Sequence, residues 1–230
     1  MNKLKDNVRD FFFKGWSKLD IIWLILANLS ILGCSISWGD SKFSIIMALT
    51  GISANILVAK GKILNYPLGI INVLMYSYVA YNSALYGDFT LNLFYYFPMN
   101  VIGWYMWNKQ KGNEDGQVES KALTLKQLAI VTLLTIIVWL GYGYILKLQN
   151  DLLPLTDSAS TVLSVISMIL MVKCYREQWI GWILVNVVSI AMWYVAYKQG
   201  GGDLTTLLMW VVYLVNSVYG LAVWFKSKEE

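Results

Sequence analysis

Histidine is absent from this 230-residue sequence, and cysteine, proline and charged residues are scarce. Charged residues make up 14% of the chain, against roughly 25% in an ordinary soluble domain. Without histidine or carboxylates inside its apolar runs, the chain has few groups from which to build a catalytic base or a metal site. It also has no phosphate-binding glycine loop. We therefore expect no enzymatic activity, no metal and no cofactor, and we expect Cys34 and Cys174 to be unpaired thiols.

Long apolar runs fill most of the chain, of which 57% is hydrophobic. About 20 apolar residues are needed to cross a bilayer, and backbone groups at that depth must be paired within a helix. The sequence therefore predicts an all-α, polytopic membrane helix bundle with about eight transmembrane helices. The predicted segments are 21–38, 43–59, 66–81, 89–107, 127–146, 158–172, 179–197 and 204–225.

Basic residues are unevenly divided between the two sides of such a bundle. With the N-terminus in the cytoplasm, fifteen of the 18 Lys and Arg residues fall in cytoplasmic stretches. The three on the other side are Lys42, Lys147 and Lys198. Because cytoplasmic connections are enriched in Lys and Arg, we expect an even number of crossings and both termini in the cytoplasm.

Two parts of the chain resemble each other. The matching pieces are 78–81 with 194–197 (both Tyr-Val-Ala-Tyr), Gly87-Asp88 with Gly202-Asp203, Asn100 with Asn216, and Trp107 with Trp224. This colinear series predicts a duplicated three-helix unit. One helix between the units restores the chain direction, so the two repeats run parallel in a 3+1+3 arrangement, with ligand expected near the midplane between them.

The repeat divides the chain into five predicted regions. They are an N-terminal amphipathic segment with an accessory transmembrane helix (1–42), the first repeat (43–107), a linker loop and linker helix (108–157), the second repeat (158–225) and a tail (226–230). The stretch 108–121 is polar and glycine-containing, which indicates a flexible connection. The accessory helix lies outside the duplication and is expected to be peripheral.

The segment 179–197 carries the most informative face. Helical spacing places Trp179, Trp182, Asn186 and Trp193 within an arc of ~60°. Aromatic faces can stack a flat heterocycle while an amide binds its polar edge, so this face is a candidate ligand site. Alternatively, Trp179 and Trp193 belong to the aromatic belts at the membrane surfaces.

Asparagines recur at membrane depth and share helix faces with aromatic residues three or four positions away. The pairs are Asn72 with Tyr76, Asn100 with Trp104, and Asn216 with Tyr213. From these pairs, Asn72, Tyr76, Asn100, Tyr213 and Asn216 are candidate substrate contacts. The alternative is interhelical hydrogen bonding, worth about 0.6–2 kcal/mol per group. Because coupled transporters usually keep ionisable groups at depth, their expected absence here favours uncoupled passage.

Several motifs resemble the nicotinamide riboside transporter family (PnuC). They are Thr156-Asp157-Ser158 with the apolar run 162–171, Trp179-x-x-Trp182-x-x-x-Asn186, the run 100–107 and the run 69–73. The resemblance covers about residues 43–225. It implies a homotrimer in the bacterial inner membrane that takes up nicotinamide riboside, a vitamin B3 precursor of NAD, by facilitated diffusion. Trp182 and Asn186 would line the substrate site, with Trp179 and Trp193 nearby.

The function expected from the resemblance has two alternatives. The chain could carry another vitamin such as thiamine, or it could be a vitamin-binding membrane subunit that needs a separate ATPase. In each case the expected partners are a small-molecule substrate and the lipid bilayer, with no nucleic acid.

Overall fold

The structure, a computed structural model, describes residues 15–83, 85–110, 117–148, 154–200 and 204–226. Regular structure in these ranges is helical, apart from two isolated β-bridges. Three predicted features lie outside the described residues: the amphipathic stretch before Gly15, the Gly202-Asp203 part of the repeat, and the tail after Lys226.

Within the described residues, eight helical segments form the bundle, as the sequence predicts. They are α1 Lys18–Trp38, α2 Lys42–Ala59, α3 Asn65–Asn82, the continuous set α4 Tyr86–Leu91, π1 Asn92–Tyr96 and α5 Phe97–Lys109, then α6 Leu125–Leu148, α7 Pro154–Val172, α8 Gln178–Lys198 and α9 Leu204–Lys226. The largest difference from the predicted bounds is at α7, which begins at Pro154 rather than at 158.

Six of these helices are long and apolar enough to cross a membrane by length and composition: α1, α2, α6, α7, α8 and α9. The other two segments, α3 and α4–π1–α5, carry four asparagines along their buried sides: Asn65, Asn72, Asn92 and Asn100. The α3 helix has the required length but a lower apolar content, whereas the other segment is divided by the π turn into pieces of 6, 5 and 13 residues.

The predicted helix 89–107 contains a turn that hydropathy does not reveal. Between Asn92 and Tyr96 the backbone widens into a π-helix, and the N–H of Phe97 donates to the carbonyl of Asn92. Pro98 follows directly. Proline has no N–H and crowds the carbonyl four residues earlier, and a π turn accommodates this break within a helix.

The accessory helix α1 is bound to both halves of the chain rather than lying loosely at the edge. It packs against α2 and α9. Its polar contacts are Asp20 with Lys60 and Tyr219, Trp23 with Asn216, Asn28 with Ser53, and Ser35 with Thr205. The inner face of this helix is therefore firmly attached to the bundle, and its accessory role stays a prediction.

Of the predicted flexible linker 108–121, the structure describes residues 108–110, which complete the end of α5, and 117–121, which are held by backbone pairing. The Val118 N–H donates to Gly61 (3.0 Å), and the Lys121 N–H donates to Cys174 (2.7 Å). Gly61 and Cys174 occupy corresponding loops, before α3 and before α8, and both have positive φ, 61° and 62°. The segment thus ties the two loops together, and we call this end of the bundle the linker end.

Both cysteines are free. Cys174 lies in the α7–α8 loop, where burial raises the pKa of its thiol to about 11. A thiol with a raised pKa is a poor nucleophile at neutral pH, which agrees with the prediction that the cysteines act as small packing residues.

Two tryptophans near the linker end form equivalent hydrogen bonds, each to a backbone carbonyl in the other half of the chain. The indole of Trp107, at the end of α5, donates to the Met171 carbonyl of α7 (3.1 Å). The indole of Trp224, at the end of α9, donates to the Ala59 carbonyl of α2 (2.9 Å). Each half of the chain thus bonds to the first helix of the other half. Two halves related by a two-fold axis would show this pattern. The duplication itself stays a prediction.

The Asp20–Lys60 ion pair generates a stability prediction. The two side chains are 2.7 Å apart and only 5% and 11% exposed. Asp20→Asn leaves the Lys60 charge buried without its carboxylate, so we expect the free energy of unfolding to fall by about 3 kcal/mol. The double variant Asp20→Asn/Lys60→Met removes both charges and should recover much of this loss in thermal unfolding in detergent. If the double variant loses as much free energy of unfolding as the two single variants together, the pairing is contradicted.

Candidate functional site

A cavity of about 150 Å³ lies inside the bundle, far larger than the ~10–15 Å³ that one water requires. Its described lining residues come from every helical segment except α1 and α6. Both halves of the chain therefore contribute to its wall. Transporters built from repeats place their ligands at such a boundary.

Seven of the nine predicted site residues line this cavity: Asn72, Tyr76, Asn100, Trp179, Trp182, Asn186 and Tyr213. They come from helices that are distant in sequence, and the fold brings them together around one space. Whether they contact a ligand stays a prediction at this point.

The other two predicted residues, Trp193 and Asn216, lie outside the cavity wall. Trp193 is fully buried behind it and donates its indole N–H to the hydroxyl of Tyr76, 2.5 Å away. Asn216 accepts from Trp23 (3.1 Å) and donates to the Asn55 backbone carbonyl (2.9 Å). Because these bonds occupy both ends of its amide, Asn216 links α1, α2 and α9, which corresponds to the interhelical alternative.

Three asparagines that line the cavity keep side-chain oxygens available as acceptors. One N–H of each amide is used for a bond between helical positions: Asn72 donates to the Met47 carbonyl (2.8 Å) and Asn100 to the Tyr96 carbonyl (2.8 Å). Asn186 donates to the Ser217 hydroxyl (2.8 Å). Within the described residues, their side-chain oxygens accept no hydrogen bond. The cavity is therefore rich in acceptors and suits a ligand with several N–H or O–H donors.

Aromatic rings form the apolar part of the wall. Trp182 lies with its ring centroid 6.1 Å from that of Tyr96, and Trp210 lies 5.9 Å from Tyr76 and 5.4 Å from Tyr213. Flat apolar surfaces beside a few polar groups are typical of sites for small heterocyclic ligands.

The charge of the cavity corrects one expectation. Among the described lining residues, Asp88 is the only carboxylate, and none is Lys or Arg. The expectation that no carboxylate lies inside the helix bundle is therefore wrong. Asp88 stands one residue before the predicted segment 89–107, but the helix begins earlier, at Tyr86. Asp20, which is 4% exposed in α1, is a second exception.

Buried aromatic rings fill the bundle between the cavity and the linker end. Tyr66 and Trp107 lie 5.1 Å apart, and Trp179 and Trp224 lie 6.1 Å apart. All four are at most 3% exposed. Glycine permits this packing, because a Cβ at Gly220 would lie 2.6 Å from the Trp179 ring. We call these four residues the aromatic plug.

Sequence reasoning missed several cavity residues: Asn55, Asn65, Asp88, Tyr96 and Trp210. Asn55 satisfies the same criterion of an asparagine at membrane depth and could have been found. Asn65 and Asp88 stand just outside predicted segments, because their own polarity lowers the local hydropathy that defines a segment.

Comparison with known proteins gives consistent matches over nearly the whole chain. The family model described as "Nicotinamide mononucleotide transporter" matches residues 41–226. A relative from Neisseria mucosa, named nicotinamide riboside transporter PnuC, is 39% identical over 93% of this chain and 83% of its own length. A relative of the same name from Haemophilus influenzae is 33% identical over 97% of this chain and 96% of its own length.

A solved structure has the same fold. The crystal structure of a protein titled "Vitamin B3 transporter PnuC" superposes with a TM-score of 0.87 and 36% sequence identity, and the match covers 96% of each chain. The three-helix repeats predicted above are not tested by this match.

The glycine that faces the cavity from α2 generates a second stability prediction. A Cβ at Gly51 would overlap the Tyr213 hydroxyl and the Asn72 amide. We expect Gly51→Ala to lower the free energy of unfolding by about 1–3 kcal/mol through overpacking. The matched control is Gly141→Ala in α6, where a Cβ meets no atom within 4 Å. Thermal unfolding of both variants measures the effect. Equal stability of the two variants would show that the side chains around Gly51 can shift to accommodate the added methyl group.

Proposed function

The chain belongs to the nicotinamide mononucleotide transporter family, and from this premise we propose that it is a membrane transporter that takes up nicotinamide riboside. The carrying observation is the cavity between the two halves, with aromatic rings, acceptor oxygens and no Lys or Arg among its described lining residues. Nicotinamide riboside offers a flat pyridinium ring, carboxamide N–H groups and ribose hydroxyls, which complement those features.

The same observation favours the riboside over the mononucleotide for which the family model is named. A phosphate monoester carries about −1.5 to −2 charges at neutral pH. Binding such a group normally requires Arg, Lys or a cluster of backbone N–H groups. Among the described residues the wall offers Asp88 instead of a cation, so a phosphate would be placed beside a carboxylate.

Within this cavity, we assign the ring to the aromatic wall around Trp182 and Tyr96 and the ligand's donors to the asparagine oxygens. Trp182 and Asn186 stand one helical turn apart on α8. They can therefore contact the flat and the polar parts of one ligand at the same time.

Transport requires that the cavity open to each side in turn. The aromatic plug fills the bundle between the cavity and the linker end, so passage toward that end requires its rings to separate. From the distribution of basic residues, we propose that the linker end faces the cytoplasm and that both termini lie there, in the bacterial inner membrane. The homotrimer implied by the family resemblance also stays a proposal.

We further propose that uptake is facilitative, with no coupled ion. Because Asp88 lines the cavity, an absence of ionisable groups does not support this proposal. The composition of the site supports it instead. Among the described residues no group of three or more Cys, Asp or Glu side chains could hold a metal ion. The cavity offers a single carboxylate to its substrate.

A binding experiment tests the site. We expect Trp182→Ala to weaken nicotinamide riboside binding by about tenfold or more through lost stacking, and Asn186→Ala by about five- to tenfold. Calorimetry on purified protein measures both. The matched controls are Trp104→Ala and Asn82→Ala, because neither Trp104 nor Asn82 lines the cavity. If the controls weaken binding as much as the site variants, the site assignment is wrong.

An uptake experiment tests the transport mode. Proteoliposomes containing only this chain, with equal sodium and pH on both sides, should accumulate labelled riboside to the external concentration. The recovered riboside should be chemically unchanged. Uptake that requires a sodium or proton gradient would contradict facilitated diffusion, and uptake that requires an added ATPase would support the subunit alternative.

A further inference from the structure

One charged side chain in the cavity wall is held in place by a chain of hydrogen bonds. The indole of Trp193 in α8 donates to the hydroxyl of Tyr76 in α3 (2.5 Å), and that hydroxyl donates to Oδ2 of Asp88 in α4 (2.7 Å). The three residues belong to three different helices. This arrangement fixes the Asp88 carboxylate in the wall of the cavity.

No cation balances this carboxylate within the described residues. The described ion pairs join Lys60 to Asp20 and Arg176 to Glu177, and neither includes Asp88. Asp88 lies in the first turn of α4, where the partial positive charge of a helix start amounts to about half an elementary charge. A carboxylate away from bulk water is unfavourable unless it is paired, so the ionised form of Asp88 is stabilised when a cationic group occupies the cavity.

The rings beside Asp88 have the same electrostatic preference. Tyr76 packs edge-on against Trp210, and Trp210 against Tyr213. All three rings line the cavity. Aromatic faces attract cations. Tyr96, against which we place the substrate's ring, follows Asp88 by eight residues on the same continuous helical segment and lines the same cavity, so the carboxylate and the aromatic wall both favour a positively charged ring there.

We infer that Asp88 is a specificity-determining residue that recognises the positive charge of the substrate's ring. The inference rests on the proposed function and adds to it the charge that the ligand must carry. A flat cationic ring is attracted by Asp88, whereas a neutral ring of similar shape keeps the stacking and hydrogen bonds but loses the ionic attraction. A ring that carries a carboxylate in place of the carboxamide is repelled.

A purely structural role for Asp88 makes a different prediction. If the carboxylate served only to begin α4 and anchor Tyr76, its removal would weaken the binding of every ligand equally. The discriminating measurement is therefore a ratio of affinities for two ligands that differ mainly in charge. Nicotinamide riboside and its reduced dihydro form are such a pair, because the added hydride makes the ring neutral.

The experiment measures binding of both forms to the purified full chain and to Asp88→Asn by calorimetry or tryptophan fluorescence. We expect Asp88→Asn to weaken binding of the cationic riboside by about 10- to 100-fold, as for two opposite charges about 6–12 Å apart at an effective dielectric of ~20. Binding of the neutral form should change less than about threefold, which also shows that the site remains folded. Asp40→Asn, which removes a carboxylate that does not line the cavity, should leave both affinities unchanged.

The other outcomes separate the inference from the proposed function. Equal weakening of both ligands, or unchanged binding of the cationic form, would overturn the role of Asp88 while leaving the proposed transporter in place. Should Asp88→Asn fail to fold, the wild-type preference for the cationic over the neutral form decides the question, and a missing preference overturns the inference. If the wild-type chain binds neither form, the proposed function falls and the inference falls with it.

Discussion

A polar side chain at membrane depth must find its partner inside the protein, because the surrounding hydrocarbon offers none. In this bundle the partners lie on neighbouring helices. Asn72 of α3 donates to the α2 backbone, and Asn186 of α8 donates to a hydroxyl of α9. Each bond uses the donor end of an amide, and within the described residues the oxygen of that amide accepts no hydrogen bond. The groups that hold the helices together are therefore also the groups that make the cavity rich in acceptors.

The polar contacts are distributed unequally between the two boundaries at which the halves of the chain meet, α2–α9 and α5–α7. At the α2–α9 boundary, α1 adds the Asp20–Lys60 ion pair and the Trp23–Asn216 hydrogen bond, and the helices pack extensively. The α5–α7 boundary has fewer contacts, although Tyr95 in π1 donates to the Val165 carbonyl there (2.7 Å). It also contains the π turn that accommodates Pro98. Rearrangement of the bundle should therefore be easier at the α5–α7 boundary than at the boundary covered by α1.

Hydropathy predicted the eight helical segments and their approximate bounds, because the bilayer sets their length and excludes charge from most of them. Helical periodicity identified the α8 face on which Trp182 and Asn186 line the cavity. Periodicity gives the direction of a side chain but not what lies in front of it. Trp193 shares the direction of Asn186, but two turns further on the Tyr76 ring of α3 occupies the space before it. Asp88 was missed because a carboxylate inside a helix lowers the hydropathy by which that helix is recognised in the sequence.

A cavity carboxylate changes how a membrane potential acts on such a carrier. With a singly charged cation bound beside Asp88, the charges cancel and the loaded cavity is close to neutral. In a cycle that returns the empty protein, an ionised Asp88 would carry its negative charge through the return step. The membrane potential contributes about 2.3 kcal/mol per elementary charge for each 100 mV crossed. On an inside-negative membrane, this potential would therefore favour the return of the empty binding site to the outside. The residue that selects a cationic substrate would then also speed the return of the empty carrier.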